Sequence, residues 1–264
     1  MERATITSRQ NEQIKWAKRL QHKKYRDQER LFCLEGVRIV EEALAIGLVQ
    51  SLFFTERLLT TPRGQELLNQ AQKLDISLWE CTEQVLSELT DTVSSQGVVA
   101  IVGKPIWPLH PQGLLLVADE IQDPGNMGTL LRTAVGAGVQ GLLVVDGCVD
   151  LYNPKVLRSS MGAILHLPHW FLSRDAILQL VASKRIALVV ADLVDAEDYW
   201  AVSYPLNLAV VIGNEARGVH PSFRKHADLR VRIPLAGPVE SLNASVAAGV
   251  LLYEILRQNG STQS

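Results

Sequence analysis

Short apolar runs alternate with amphipathic stretches along nearly the whole chain, and the two periodicities separate strands from helices. In the first hundred residues, apolar positions at helical spacing predict helices over 10–20, 37–46, 62–73 and 83–89. Gly47 stops the second of these. Compact apolar runs predict strands over 31–34, 51–54, 76–80 and 98–102. Between Gly103 and Gly113 the pattern lapses into a stretch holding Pro105, Pro108 and Pro111. Proline cannot donate into a ladder and keeps the chain extended, so this stretch reads as a linker. The expected division is a domain over 1–104, a linker over 105–112 and a larger domain over 113–264. There the alternation restarts, with strands over 114–118, 142–146, 164–168, 186–191, 206–212 and 229–233. Helices are predicted over 127–137, 154–161, 174–183 and 244–258, with a short helical turn over 221–226. Apolar strands separated by helices argue for a parallel sheet covered on both faces. The fold class is therefore α/β, and the polar tail 260–264 is expected to fray.

Charge changes this picture. The formal net charge of −2 divides into +5 over residues 1–40 and −7 over the rest. A basic arm on an acidic body suits phosphate-backbone binding, because each neutralised phosphate releases counterions. Arg9, Lys15, Lys23, Lys24 and Arg26 are the candidate nucleic-acid contacts, with Trp16, His22 and Tyr25 available to stack on bases. A solvated helix face accounts for the same charges, so both readings stay open on composition alone. No apolar run approaches a membrane span, and the polar N-terminal stretch holds no apolar leader, so neither membrane insertion nor export is expected. Cys33, Cys81 and Cys148 are isolated and odd in number. That spacing builds neither a zinc cluster nor a disulfide framework, so a reducing cytoplasm and three small core residues are expected.

The chemistry lies where strands end. The first segment, 119–130, is Asp-Glu-Ile-Gln-Asp-Pro-Gly-Asn-Met-Gly-Thr-Leu, followed by Arg132. A buried strand emptying into a Pro/Gly/Asn loop and a helix is where α/β proteins hold ligands. Asn126 and Arg132 would face an anionic or strongly hydrogen-bonding substrate, although a plain helix start with an exposed arginine fits equally. A second strand ends in Gly213-Asn-Glu215-x-x-Gly218. A third runs through Ile233-Pro234 into Ser241-Leu242-Asn243-Ala-Ser245, where Asn243 or Ser241 would cap the last helix. Three such loops arise by chance far less readily than one. Gly136-Ala-Gly138-Val-Gln-Gly141 matches the dinucleotide fingerprint GxGxxG but ends a helix instead of opening one, so it reads as a C-cap and turn. That disfavours a nicotinamide-dependent oxidoreductase.

Asn126-x-Gly128-x-x-x-Arg132, Gly213-Asn-Glu215-x-x-Gly218 and Ile233-Pro234…Ser241-Leu-Asn243-x-Ser245 resemble, in order and spacing, the three motifs of the SpoU (TrmH-like, SPOUT superfamily) RNA ribose methyltransferases. The resemblance covers residues 113–258. Upstream, Thr7-Ser-Arg-Gln-Asn11, Lys24-Tyr-Arg26 and Phe32-Cys-Leu-Glu-Gly36 resemble the L30e-like substrate-binding domain that precedes many members. The resemblance implies a parallel-sheet α/β-knot methyltransferase domain, trefoil-knotted near its C-terminus, behind a smaller L30e-like α/β domain. It implies S-adenosylmethionine as cofactor and a ribose 2′-hydroxyl of RNA, foremost ribosomal RNA, as acceptor. Gly213, Ile233, Leu242, Leu193, Asn243 and Ser245 would hold the cofactor. Arg132 would be the central catalytic residue; Asn126, Ser241 and Asn243 would position the ribose or its phosphate, and Glu215 would orient loop groups or Arg132. No metal is required, since a sulfonium losing its methyl group also loses its charge. The final helix is apolar nearly all round, and in this family it packs on a second subunit, so a homodimer is expected. A tRNA 2′-O-methyltransferase and a non-catalytic RNA-binding protein of the same fold are the alternatives.

Overall fold

The structure, a computed structural model, describes residues 5–90 and 95–260, and the chain forms two compact units. The tail residues 261–264, expected to fray, lie outside the described residues.

The first unit comprises Met1–Ile106 together with Tyr152–Leu165. Its elements are α1 (Glu12–Arg19), α2 (Lys23–Glu29), β1 (Leu31–Glu35), α3 (Val37–Ala45), β2 (Val49–Phe54), α4 (Glu56–Leu59), α5 (Pro62–Lys73), β3 (Ser77–Glu80), α6 (Glu83–Leu86) and β4 (Val98–Gly103). The strands form one sheet in the order β1-β4-β2-β3, with β4 antiparallel to both neighbours and β2 parallel to β3. Phe32, Phe53 and Leu52 are fully buried on these strands. Asn11 caps α1, and Thr61 caps α5 with proline in its first turn, which places both starts where the sequence signals them.

α2 escaped the sequence reading because Lys-Lys-Tyr-Arg-Asp-Gln-Glu has no apolar stripe. Its anchor is polar. Arg26 is buried and donates to the carbonyls of Leu20 (2.8 Å) and Gln21 (2.7 Å), just past the end of α1. Arg26 therefore serves the fold and corrects its expected place among the RNA contacts.

The second unit comprises Trp107–Leu151 and His166–Ser264. It contains β5 (Leu114–Ala118), α7 (Pro124–Gly136) and β6 (Gly141–Val144). After α8 (Pro154–Ser160), which belongs to the first unit, follow β7 (His169–Phe171), α9 (Arg174–Lys184), β8 (Ala187–Ala191), β9 (Glu197–Asp198), β10 (Leu208–Ile212), α10 (Pro221–Lys225), β11 (Leu229–Arg232) and α11 (Ala244–Gly260). Seven parallel strands lie in the order β7-β6-β5-β10-β8-β11-β9. β5 and β10 are buried along their whole length at the centre, as continuous apolar runs covered on both faces should be. The edge strand β9 is only Glu197–Asp198, short and charged, which discourages further pairing.

Two expectations need correction here. The apolar run at 164–168 is not a strand: Ala163–Leu165 is a buried 3-10 turn, and the edge strand begins at His169. A short apolar run does not distinguish these by periodicity. The helix expected at 127–137 starts three residues earlier, because Asp123 caps it and Pro124 occupies its first turn. Asn126 thus stands in the first turn of α7 and not in a loop. The glycine decoy behaves as a helix stop: Val139 N–H reaches back to Ala134 O at 2.9 Å, and Gly138 has φ +73°. Of the cysteines, Cys81 is buried, while Cys33 and Cys148 are half-buried. Among the described residues, no helix is long and apolar enough to cross a membrane.

Candidate active site

Parallel strands deliver their carboxyl ends to one edge of the sheet; β5, β10 and β11 end there in the loops the sequence singles out, and β8 lies between β10 and β11. Asn126 is the meeting point. Its amide Nδ2 donates to Glu215 Oε1 at 2.7 Å, and its Oδ1 accepts from Asn243 Nδ2 at 2.8 Å. Asn243 in turn uses its own Oδ1 to cap α11, accepting from Ser245 N (3.0 Å) and Ser245 Oγ (2.6 Å). Three segments far apart in sequence are joined through one side-chain amide.

The second of these segments has a geometry that only its own residues permit. A Cβ on Gly213 would lie 2.3 Å from Val219 N and 2.4 Å from Gly218 C, both backbone atoms. Gly218 has φ +68°, a left-handed conformation that glycine adopts without strain. Asn214 locks the turn: its Oδ1 accepts from Ala216 N (3.0 Å) and Arg217 N (3.1 Å), and its Nδ2 donates to Glu120 O at 2.9 Å. Glu215 is thereby held facing Asn126.

Next to the loop lies a charged support. Asp119 is buried, accepting from Arg174 Nε (2.9 Å) and from the backbone N–H of His220 (2.8 Å). Arg174 also binds Glu120, which pairs with Arg217 at 2.9 Å. Stranding the Asp119 carboxylate by removing Arg174 would cost on the order of 3–5 kcal/mol. The hydrogen bond from Arg174, with further help from the charges of Arg174 and Arg217, holds the Glu120 carboxyl below its ordinary value of 4.5. Asp119 and Glu120 end a buried strand, a usable signal. Arg174 opens a helix 54 residues beyond Glu120, and no local pattern marks it.

A cleft of about 560 Å³ opens beside this network. Gly213, Glu215, Ile233, Ser241, Leu242 and Leu193 line it, so these expected site residues lie together. Asp192 and Arg224 also line it and were missed. Asp192 is buried and accepts from Leu193 N at 2.8 Å; Arg224 Nε lies 3.1 Å from its other oxygen, close enough for an ion pair but poorly aligned for a hydrogen bond. Asp192 directly follows the apolar run of β8, the signal that marked the other strand ends. Asn126, Arg132, Asn243 and Ser245 are not part of the lining among the described residues. Ser245 is buried against Asn243, which makes it a capping partner and not a cleft wall. Arg132 is exposed on α7. It lies six residues beyond Asn126, roughly 9 Å along the helix axis.

The expected RNA contacts in the first unit divide by pairing. Arg9 is 3.2 Å from Glu88, and Lys23 is 2.5 Å from Asp27. Lys15 and Lys24 are exposed and have no carboxylate partner among the described residues.

Residues 113–253 match the SpoU rRNA Methylase family, and residues 11–100 match the MRM3-like substrate binding domain. The chain belongs to the SpoU rRNA methylase family. The 23S rRNA (guanosine(2553)-2′-O)-methyltransferase RlmP of Bacillus subtilis (strain 168) is 30% identical over 251 residues, spanning 95% of this chain and 98% of its own. A solved RNA 2′-O ribose methyltransferase superposes with a TM-score of 0.84 at 34% identity, over 97% of this chain and 99% of that one. An AdoMet-bound rRNA methyltransferase from Sinorhizobium meliloti gives a TM-score of 0.86 at 28% identity, over 96% and 97%.

The cleft of this SpoU-family chain fits such a cofactor. Leu193, Ile233 and Leu242 offer apolar walls for a purine, and the loop at Gly213 brings backbone amides close where no side chain fits. Gly213→Ala is expected to weaken S-adenosylmethionine binding at least about tenfold in calorimetry while the far-ultraviolet spectrum is retained; affinity equal to wild type would contradict this geometry. Because the Glu120 carboxyl is depressed, its stabilising contribution is full above pH 4.5 and lost as pH falls through the lowered folded value. The melting-temperature gap between wild type and Glu120→Gln should therefore close on acidification, and a gap that widens would refute the pairing.

Proposed function

We propose that this chain methylates a ribose 2′-hydroxyl of ribosomal RNA in the cytoplasm, with residues 1–104 as the substrate-binding domain, 105–112 as linker and 113–264 as the catalytic domain. The observation that carries the reading is the convergence of Glu215, Asn126 and Asn243 at the edge of a cleft built by the other family motifs. Gly213, Ile233, Leu242 and Leu193 hold the cofactor in this proposal, and S-adenosylmethionine when bound supplies the activated methyl group.

The acceptor is the difficulty, because a ribose hydroxyl is a very weak acid. Arginine stays protonated, so Arg132 serves as a cation that pairs with the phosphate beside the target ribose, fixes the hydroxyl and lowers the cost of its deprotonation. Ser241, exposed beside Leu242, and Asn243 position the ribose. The Asn126 amide spends its donor on Glu215 and its acceptor on Asn243, so its part is to hold those two in register. The C-terminal threading proposed here is the family's trefoil: α11 follows β11 yet packs against α7, which follows β5.

A homodimer completes the proposal. Val246, Tyr253 and Leu256 lie exposed on one flank of α11, and Val135 is exposed on α7. Positions 246, 253 and 256 recur near helical spacing, so they form a stripe with no cover in a single chain. Arg132, three residues before Val135, lies on the same flank of α7 and would border that interface.

Arg132→Ala is expected to lower methyl transfer to total RNA by at least about a hundredfold, measured as alkali-resistant linkages, with S-adenosylmethionine affinity within about twofold. Normal turnover would remove Arg132 from the mechanism. Val246→Asp with Tyr253→Asp should convert a dimer to a monomer in sedimentation at micromolar concentration; wild type sedimenting as a monomer would defeat the assembly.

A further inference from the structure

The basic arm contains cations of two kinds. Lys18 and Arg9 share Glu88, and Lys23 is held by Asp27. Lys15, Arg19 and Lys24 are exposed, with no carboxylate partner among the described residues. Lys15 and Arg19 stand one turn apart on the same face of α1. Arg30, at the far end of α2, is likewise exposed, so the unneutralised charge runs along both helices, with Arg19 and Lys24 flanking their junction.

An aromatic ring stands at that junction. Tyr25 is half-buried, with the Arg19 guanidinium 5.7 Å and the Lys24 ammonium 6.0 Å from its ring centroid. The His22 ring lies 6.4 Å away at 61°. Both cations are at the outer limit of cation–π reach, where the contact is weaker than stacking of a nucleobase. A base can take the ring, leaving the cations to flanking phosphates. The platform is also fixed in place: the neighbouring Arg26 is bonded to the carbonyls of Leu20 and Gln21, which locks α2 onto the end of α1.

We propose that Tyr25 is a stacking platform for an unpaired base of the RNA substrate, with Lys15, Arg19 and Lys24 holding the phosphates beside it. This rests on reading the chain as an RNA methyltransferase and adds what its first domain recognises: a looped-out or single-stranded nucleotide, in preference to a continuous duplex. Single strands expose base faces that an aromatic ring can cover, whereas a duplex hides them.

The test uses the full chain and a fluorescent single-stranded oligoadenylate of about 12 nucleotides, with an RNA duplex of equal length as comparison. Tyr25→Ala should weaken binding to the single strand about tenfold or more, Tyr25→Phe should stay within about twofold, and duplex binding should change little. Arg19→Ala with Lys24→Ala should reduce the slope of log affinity against log salt by about 1.4, while Lys18→Ala should not alter it. A 2-aminopurine in the strand should be quenched by wild type and not by Tyr25→Ala, a signature that scaffolding alone does not give. In methylation of total RNA, Tyr25→Ala should raise KM with kcat nearly retained. Equal affinity for Tyr25→Ala and wild type, Tyr25→Phe as weak as Tyr25→Ala, or no quenching by wild type would each overturn the platform. Failure of wild type to methylate RNA at all would instead sink the functional reading, so the two failures are told apart.

Discussion

The carboxamide of Asn126 both donates and accepts, and it uses each side to reach a different segment. The donor holds Glu215, 89 residues downstream, and the acceptor holds Asn243, 117 residues downstream. Neither a carboxylate nor an amine can play both parts, since the first only accepts and the second only donates. That bifunctionality explains why asparagine stands in the first turn of α7. It also makes the site a consequence of the whole second unit: β5, β10 and β11 must all be in place before the three segments meet.

The supports around this node follow a division of labour. Backbone shape is set by Gly213 and Gly218, where a side chain would collide or strain the chain. Local turn geometry is set by Asn214 and Asn243, each folding its own segment through backbone N–H groups. Longer-range placement falls to Asp119 and Glu120 with Arg174 and Arg217. Acidic groups concentrated there are neutralised by arginines from α9 and from the loop itself, so the strand end stays ordered without presenting net negative charge to an RNA phosphate.

Much of this was legible in the sequence, for physical reasons. Buried parallel strands read as unbroken apolar runs, and β5 begins and ends where the pattern placed it. Helix caps such as Thr61 and prolines such as Pro62 mark starts by chemistry that acts within a few residues. The strand-end motifs carried the site because glycine and asparagine are costly there unless a turn needs them. What the sequence hid was nonlocal or polar. α2 is held by a buried guanidinium instead of an apolar stripe. Arg174 reaches Asp119 across 55 residues. Asn126 and Ser245 both bond to neighbouring residues in the structure, a supporting part that composition alone does not show.

The segment Tyr152–Leu165 gives the architecture an unexpected property. It lies in sequence inside the catalytic half, yet it belongs to the first unit, where the Tyr152 ring rests 4.8 Å from that of Phe32 and the Lys104 ammonium stands 4.5 Å from its centroid. The polypeptide consequently passes from one unit to the other three times: after Ile106, after Leu151 and after Leu165. A proline-rich tether at 105–112 suggests a module that evolution could clip off and replace. With three crossings it is instead woven in. Severing the tether alone would therefore not free the amino-terminal unit, because it would lose the part of its own packing that Tyr152–Leu165 supplies.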